Sequence, residues 1–347
     1  MFNASIINLK SGAQDVGASV NYKTINDGME VMRTLARDLS YGNETGNEWR
    51  VDSAERFTRA VEIINYRKEG NYTIILTGNF ALSSEVRFSE NASKTVTITG
   101  GSQMRTINNG NIRVMKGINL VLGNNLTLDG NGKGTVVSVS SGSLILQEGA
   151  ILRNGGQGVH VYEGRFTMNG GTISGNTNTN HLCGGVEVVN NSTFTMNGGT
   201  ISGNTGNFGG GVYFMHECTF TMNGGTIIGN TANNGGGVYV GGIFRMSGGT
   251  ISGNTANERG GGVNNIGDFR MTGGTISGNT AKEEGGGVWS SRYNCSFIKT
   301  GGTIDATNSA KDSKVAYVLS VSGKRDRAAG PKDNLDSSKS GKAGGWE

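Results

Sequence analysis

Few residues in this chain have both the type and the spacing that chemistry needs. Glycoside hydrolysis takes two carboxyl groups roughly 5–10 Å apart, one of them protonated. Glu163, Glu187 and Glu217 recur near short Val-x-Val pieces, but at different offsets, so they do not superpose into such a pair. His160, His181 and His216 stand at three different places in three successive repeats, and none has metal-ligand spacing. Cys183, Cys218 and Cys295 form an odd set without a Cys-x-x-Cys pair, which argues against a disulfide framework and a metal site. The stretch "DGNGKGT" at Asp129–Thr135 has the glycines of a phosphate loop without Walker spacing or a following helix, and reads as a turn. No catalytic residue, metal or cofactor is assigned.

One column of residues is less bland. The position after the valine of each Gly-Gly-Val step runs His160, Glu187, Tyr213, Tyr239, Asn264, Trp289. If these side chains face outward on a flat sheet, their rings are able to stack on sugar rings, and Asn264 offers hydrogen bonds. Ring-on-ring packing between neighbouring repeats, contributing ~0.5–1.5 kcal/mol, is the competing explanation. Tyr213, Tyr239, Asn264 and Trp289 are therefore the candidate binding residues, for a polysaccharide or host-surface glycan lying along the stack.

The elements that position this column are written in a repeat. "FTMNGGTISGNT" at 166–177 returns unchanged at 194–205, and with small changes from Phe220, Phe244 and Phe269; "FIKTGGTIDATN" from Phe297 trails off. The phenylalanines are 28, 26, 24, 25 and 28 residues apart. "LILQEGAI" is a weaker copy in which Leu144 and Ile151 keep the seven-residue step from Phe to Ile, and Leu120 is a looser match. Each period holds three short alternating pieces, Val-x-Val, Phe-x-Met and Thr-Ile-Ser, separated by Gly-Gly and Gly-Asn turns. Alternation puts Val, Phe, Met and Ile on one inner face. No helical pattern fits between the strands, and a propeller blade needs longer strands and a longer period. The fold class is all-β: a parallel β-helix, with three short strands per ~25-residue rung stacked at ~4.8 Å.

Stacking brings like residues above like. Asn176, Asn204, Asn230, Asn254 and Asn279 form an amide ladder in a turn where positive φ is expected at the Asn. Cys218 and Cys295 share a column but lie three rungs apart, beyond disulfide reach. Ends need caps. "DSAERFTRAVEIINYRKEG" reads as an N-terminal helical cap, with a capping box from Asp52 to Glu55 and a buried face of Phe57, Ala60, Val61 and Ile64. The first strands are expected at Tyr72–Gly78 and Thr95–Gly100, and the last at Val315–Val321. The chain divides into an N-terminal segment and cap (1–70), the β-helix (71–322) and a C-terminal capping tail (323–347). "DGMEVMRTLARDL" within residues 1–50 looks helical.

The totals agree. The 347 residues include 61 Gly and one Pro, and 34% are hydrophobic, which suits a long thin core better than a sphere. A formal charge of +4 without a basic block or nucleic-acid motif gives no reason to expect a nucleic-acid partner. No stretch approaches the ~20 apolar residues of a membrane span, and the start lacks the basic-then-apolar pattern of a secretory signal.

"GGGVYV", "FTMNGGTISGNTA" and the closing "AGGWE" resemble the exported right-handed parallel β-helix repeat proteins of bacteria, spirochaete surface proteins among them, and more distantly the passenger repeats of chlamydial polymorphic outer-membrane proteins. The resemblance covers roughly 72–347. It implies a right-handed helix, export, surface display, and a non-enzymatic structural or adhesive role with glycan contact. Pectinolytic enzymes share the fold, so a carbohydrate-active enzyme is the alternative; the repeat columns carry almost no carboxylates, and none of the motifs of polygalacturonase-like enzymes is present. A weaker alternative is an ice-binding surface, since Thr172/Ser174, Thr200/Ser202, Thr250/Ser252 and Thr275/Ser277 form a hydroxyl lattice, although Thr also favours strands and Ile228 interrupts the array.

Overall fold

A computed structural model describes residues 46–89, 93–178, 182–291, 295–311 and 317–319. All of these but Gly46 belong to one compact unit beginning at Asn47. The helical stretch expected near residues 27–39 and the tail from 323 lie outside the described residues, as does His181.

Among the described residues the strands fall into four parallel sheets, of eleven, ten, ten and four strands. In all four, strand order follows the chain, each strand pairing with its equivalent one turn earlier and one turn later. This is a parallel β-solenoid, and its rungs follow the repeat. One sheet carries the Phe-x-Met strands, in register as Phe166, Phe194, Phe220, Phe244, Phe269 and Phe297. Their rings stack at 4.6–4.8 Å, and the first four are within 5° of parallel. The second carries the Ile column and the third the Val-x-Val column. All three columns are buried and form one continuous core. The inward methionine column ends at Lys299 in the last Phe-x-x rung, which is 7% exposed.

The asparagine ladder is present and one rung longer than expected, because Asn308 joins it. Each Nδ2 donates to the next Oδ1, at 2.9 Å from Asn176 to Asn204 and 3.0 Å from Asn204 to Asn230, through to Asn308. The middle members are saturated. Asn230 Oδ1 also accepts the backbone N–H of Asn204, and its Nδ2 also donates to the Ile201 carbonyl. All five repeat amides are fully buried, so this pairing is what makes their burial tolerable. The expected positive φ at the Asn is corrected: it belongs to the preceding glycine, at +65° for Gly229.

Four further differences from the sequence reading have local causes. A strand at Glu48–Val51 (β1) precedes the cap and pairs with Gly70–Leu76 (β2), so the sheet starts ahead of the helix. The helix (α1, Ala54–Tyr66) is capped by Ser53, whose Oγ accepts the N–H of Arg56 at 3.3 Å; Asp52 instead pairs with the Arg56 guanidinium at 3.1 Å. Its expected apolar face is buried, joined by Ile63, and packs on β1, β2 and Val86–Phe88. Leu144 does stand beneath Phe166, but the Ile column continues through Leu152 rather than Ile151. The turn "QEGA" is one residue longer than "NGG", and one residue reverses the parity of a strand. Finally, a fourth side appears in the later rungs, from Thr231–Asn234, Thr255–Arg259, Thr280–Ala281 and Ser309–Ala310, turning Ala256, Ala281 and Ala310 inward. The last strand is Tyr317–Leu319, paired with Val288–Ser290.

Candidate functional site

The Val sheet sets the candidate column in register: His160, Glu187, Tyr213, Tyr239, Asn264 and Trp289 are successive partners. Alternation points them away from the core valines, as expected. They do not lie on an open flat face, however. A second ladder runs beside them where the fourth side meets the Gly-Gly-Gly turn: Phe208, Asn234, Arg259 and Glu284 are paired from rung to rung. The glycines that follow let neighbouring rungs close up, since a Cβ on Gly211 would lie 2.7 Å from the Gly237 carbonyl. The two ladders make a corner.

Packing inside that corner is specific. Tyr213 and Tyr239 stack at 5.4 Å, and Phe208 meets the Tyr239 ring edge-on at 5.2 Å. Tyr213 is 5% exposed and Asn264 2%, so the expectation of four exposed residues holds at neither; Tyr239 and Trp289 are half-buried. The Arg259 guanidinium lies 5.1 Å over the Trp289 ring, and Trp289 Nε1 donates to Glu284 Oε2 at 2.9 Å. Glu284 in turn sits 3.3 Å from Arg259 Nε. Asn264 Nδ2 is 3.4 Å from Asn234 Oδ1, while Asn264 Oδ1 is buried without a hydrogen-bond partner. Burial, then the neighbouring Tyr239, Glu187 and Cys183, push the Tyr213 hydroxyl up to about 12, so it stays a neutral donor. Burial likewise raises Tyr239.

Among the described residues, the two carboxylates with displaced titration are both held by arginine. Burial pushes the Glu85 carboxyl up, but hydrogen bonds from Arg113 and Arg87 outweigh it and hold it below its ordinary value. Asp129 is the same case: the Asn131 N–H, Arg153 and Asn154 overcome its burial. A general acid needs the opposite displacement. Asp129 sits in the turn foreseen for "DGNGKGT", where its Oδ1 accepts the Asn131 N–H at 2.9 Å. Glu187 accepts from Gln157 Nε2 at 2.5 Å. All three cysteines are free, and burial pushes the Cys183 thiol up; its Sγ lies 2.8 Å from the Gly209 carbonyl. No group of three His, Cys, Asp or Glu among the described residues is arranged to hold a metal ion.

Sequence reasoning missed the flanking ladder. Phe208, Asn234, Arg259 and Glu284 share neither residue type nor motif position strongly enough to read as a column; the signal was their constant place just ahead of Gly-Gly-Gly. Fold and corner together define a parallel β-solenoid with an aromatic and polar edge. No family model, no curated protein and no solved structure matches the chain.

Proposed function

We propose that the protein is a non-enzymatic structural and adhesive β-solenoid, exported and displayed at a cell surface, whose aromatic corner contacts glycans. The carrying observation is the placing of two half-buried rings, Tyr239 and Trp289, two rungs apart in one column, with the Arg259–Glu284 pair beside Trp289. Rings offer the apolar faces of a sugar a surface; the half-exposed Arg259–Glu284 edge meets its hydroxyls. Each stacked ring contributes on the order of 1 kcal/mol, so adhesion rests on several contacts at once. Among the described residues, the two carboxylates with displaced titration are clamped by arginine, which suits display rather than hydrolysis. Export and surface display follow the resemblance of the repeats.

The test is a glycan array probed with the wild type and with a Tyr239→Leu, Trp289→Leu variant, which keeps apolar bulk but removes the flat rings. Binding by wild type and its loss in the variant is expected. Equal binding by both, or none by either, leaves the corner as packing alone. Release of new sugar chain ends in a parallel depolymerisation assay would overturn the non-enzymatic assignment.

A further inference from the structure

Two pairs of arginines face each other in register across neighbouring rungs. Arg87 stands opposite Arg113 in the Val sheet, and Arg245 opposite Arg270 in the Phe sheet. Like charges directly opposite are destabilising, and at the ~4.8 Å strand spacing they call for a counter-charge. The first pair has one. Glu85 reaches across both, Oε1 at 3.0 Å from Arg87 Nη2 and Oε2 at 2.8 Å from Arg113 Nε. One carboxylate clamps two guanidinium groups.

The second pair has the same register and no such clamp. Both side chains are exposed, and neither has an ion-pair partner among the described residues. Arg245 is surrounded by Thr221, Ile243 and Ser247, and Arg270 by Ile298, Asp268 and Thr272. Asp268 is the acid nearest in sequence, two residues before Arg270, as Glu85 is two before Arg87. It is one methylene shorter, and its Oδ1 is taken by Ser296 Oγ at 2.7 Å on the rung beyond. The repeats explain the oddity: Thr167, Thr195 and Thr221 hold this column in the earlier rungs, and arginine replaces threonine at two consecutive steps. Departures from a local rule of this kind concentrate at functional sites.

We infer that Arg245 and Arg270 form a site for the carboxylate or sulfate group of an acidic polysaccharide, the anion taking the place that Glu85 fills between Arg87 and Arg113. Arginine presents its donors in a planar fork suited to such groups. The face around the pair fits a sugar chain running along the stack. Thr195 and Thr221 offer hydroxyls on the rungs before, and Ile243, 37% exposed, offers an apolar patch. This face lies on a different sheet from the aromatic corner; it shares with the proposed function only the assignment of a glycan as partner.

The test uses the full chain and three matrices: heparin, polygalacturonate and neutral dextran. Wild type should be retained on the acidic matrices at low salt and pass through dextran. Arg245→Thr with Arg270→Thr restores the column residue of the earlier rungs and should weaken affinity on the order of tenfold or more, since it removes two charge-assisted contacts. Lys282→Thr with Lys133→Thr removes the same two charges away from the Phe sheet and should be retained like wild type. Arg245→Glu replaces the like-charge pair with a cross-strand ion pair to Arg270 and should abolish retention while raising the melting temperature. Equal weakening by the Lys282/Lys133 variant, undiminished retention of the Arg245/Arg270 variant, or no wild-type retention on either acidic matrix overturns the inference. An array signal that depends on Tyr239 and Trp289 would survive all three outcomes, so the two readings fail separately. Stronger retention on heparin than on polygalacturonate assigns the site to sulfate, and the reverse to carboxylate.

Discussion

Before and after Phe166 the solenoid holds its rungs together by different means. In the earlier rungs the Phe column is occupied by Val96, Leu120 and Leu144, so no rings stack. Turns there place non-glycine residues at positive φ, such as Asn109 and Asn154, both at 53°. Rung-to-rung attachment leans on charge: Glu85 with Arg87 and Arg113, and Asp129 with Arg153 at 2.8 Å. From Phe166 onward the same task falls mainly to neutral ladders of stacked rings and paired amides, with Arg259–Glu284 as a charged exception and glycine at the turn position before each ladder Asn (Gly175, Gly203, Gly229, Gly253 and Gly278). The lesson is that one backbone geometry accepts two attachment chemistries, and only the second is periodic enough to be copied.

The largest expected effect tests the ring stack. Phe220→Ala removes a ring that contacts Phe194, Phe214 and Phe244, and should cost about 3–5 kcal/mol in a urea titration. Leu144→Ala, its counterpart in the earlier rungs, should fall in the lower part of the range of about 2–5 kcal/mol. Thr221→Ala, half-buried on the outer face, should cost under ~0.5 kcal/mol. A loss for Phe220→Ala no greater than for Thr221→Ala would break the comparison.

Next in size is the amide ladder. Asn230→Ala strands the Asn204 backbone N–H and the Ile201 carbonyl in the core, and should cost about 1–3 kcal/mol. Asn109, whose amide donates to the Leu82 carbonyl at 3.2 Å in a half-buried turn, should lose less on the same change. Equal losses by thermal melting would show that ladders confer nothing beyond an ordinary side-chain hydrogen bond.

The smallest effect separates the regions by pH. Glu85 and Asp129 have folded values below their ordinary 4.5 and 3.8. Their contribution is therefore complete above those values and is lost as pH falls through the depressed folded ones. Amide exchange compared at pH 7 and pH 3 should show residues 80–153 losing protection before residues 166–310. Asp129→Asn should flatten part of that difference. Uniform loss along the stack would remove the distinction between charged and neutral rungs.

Much of this was legible in advance, for a physical reason. A stacked repeat states each core position six times, so the Phe, Ile and Val columns and the asparagine ladder stand out against substitution. Features stated once were harder. Four residues at Glu48–Val51 are too few to show alternation. Ser53 and Asp52 are both good caps, and the side-chain geometry decides between them. Ile151 and Leu152 differ by one position, and the extra turn residue that exchanges them is visible only as length. The inward face of the fourth side is alanine, which carries almost no pattern. For the candidate site, the column was correctly composed, but the burial of Tyr213 and Asn264 came from a neighbouring column of mixed residues. Side chains that cover a surface from the next turn leave as trace only their constant place ahead of Gly-Gly-Gly.

The unchanged return of 166–177 at 194–205 bears on size as well as strength. A rung inserted between two such copies meets the same phenylalanine ring, the same amide and the same carbonyls on both sides as its neighbours do. Adding or deleting one unit therefore alters no contact type along the Phe, Ile and Asn columns and lengthens or shortens the stack by ~4.8 Å. Length becomes a quantity counted in copies, separable from the two ends and from any single patch on the side. A molecule built this way can be retuned for reach without being redesigned for stability, and the sites it presents keep their own chemistry while their distance from the base changes in equal steps.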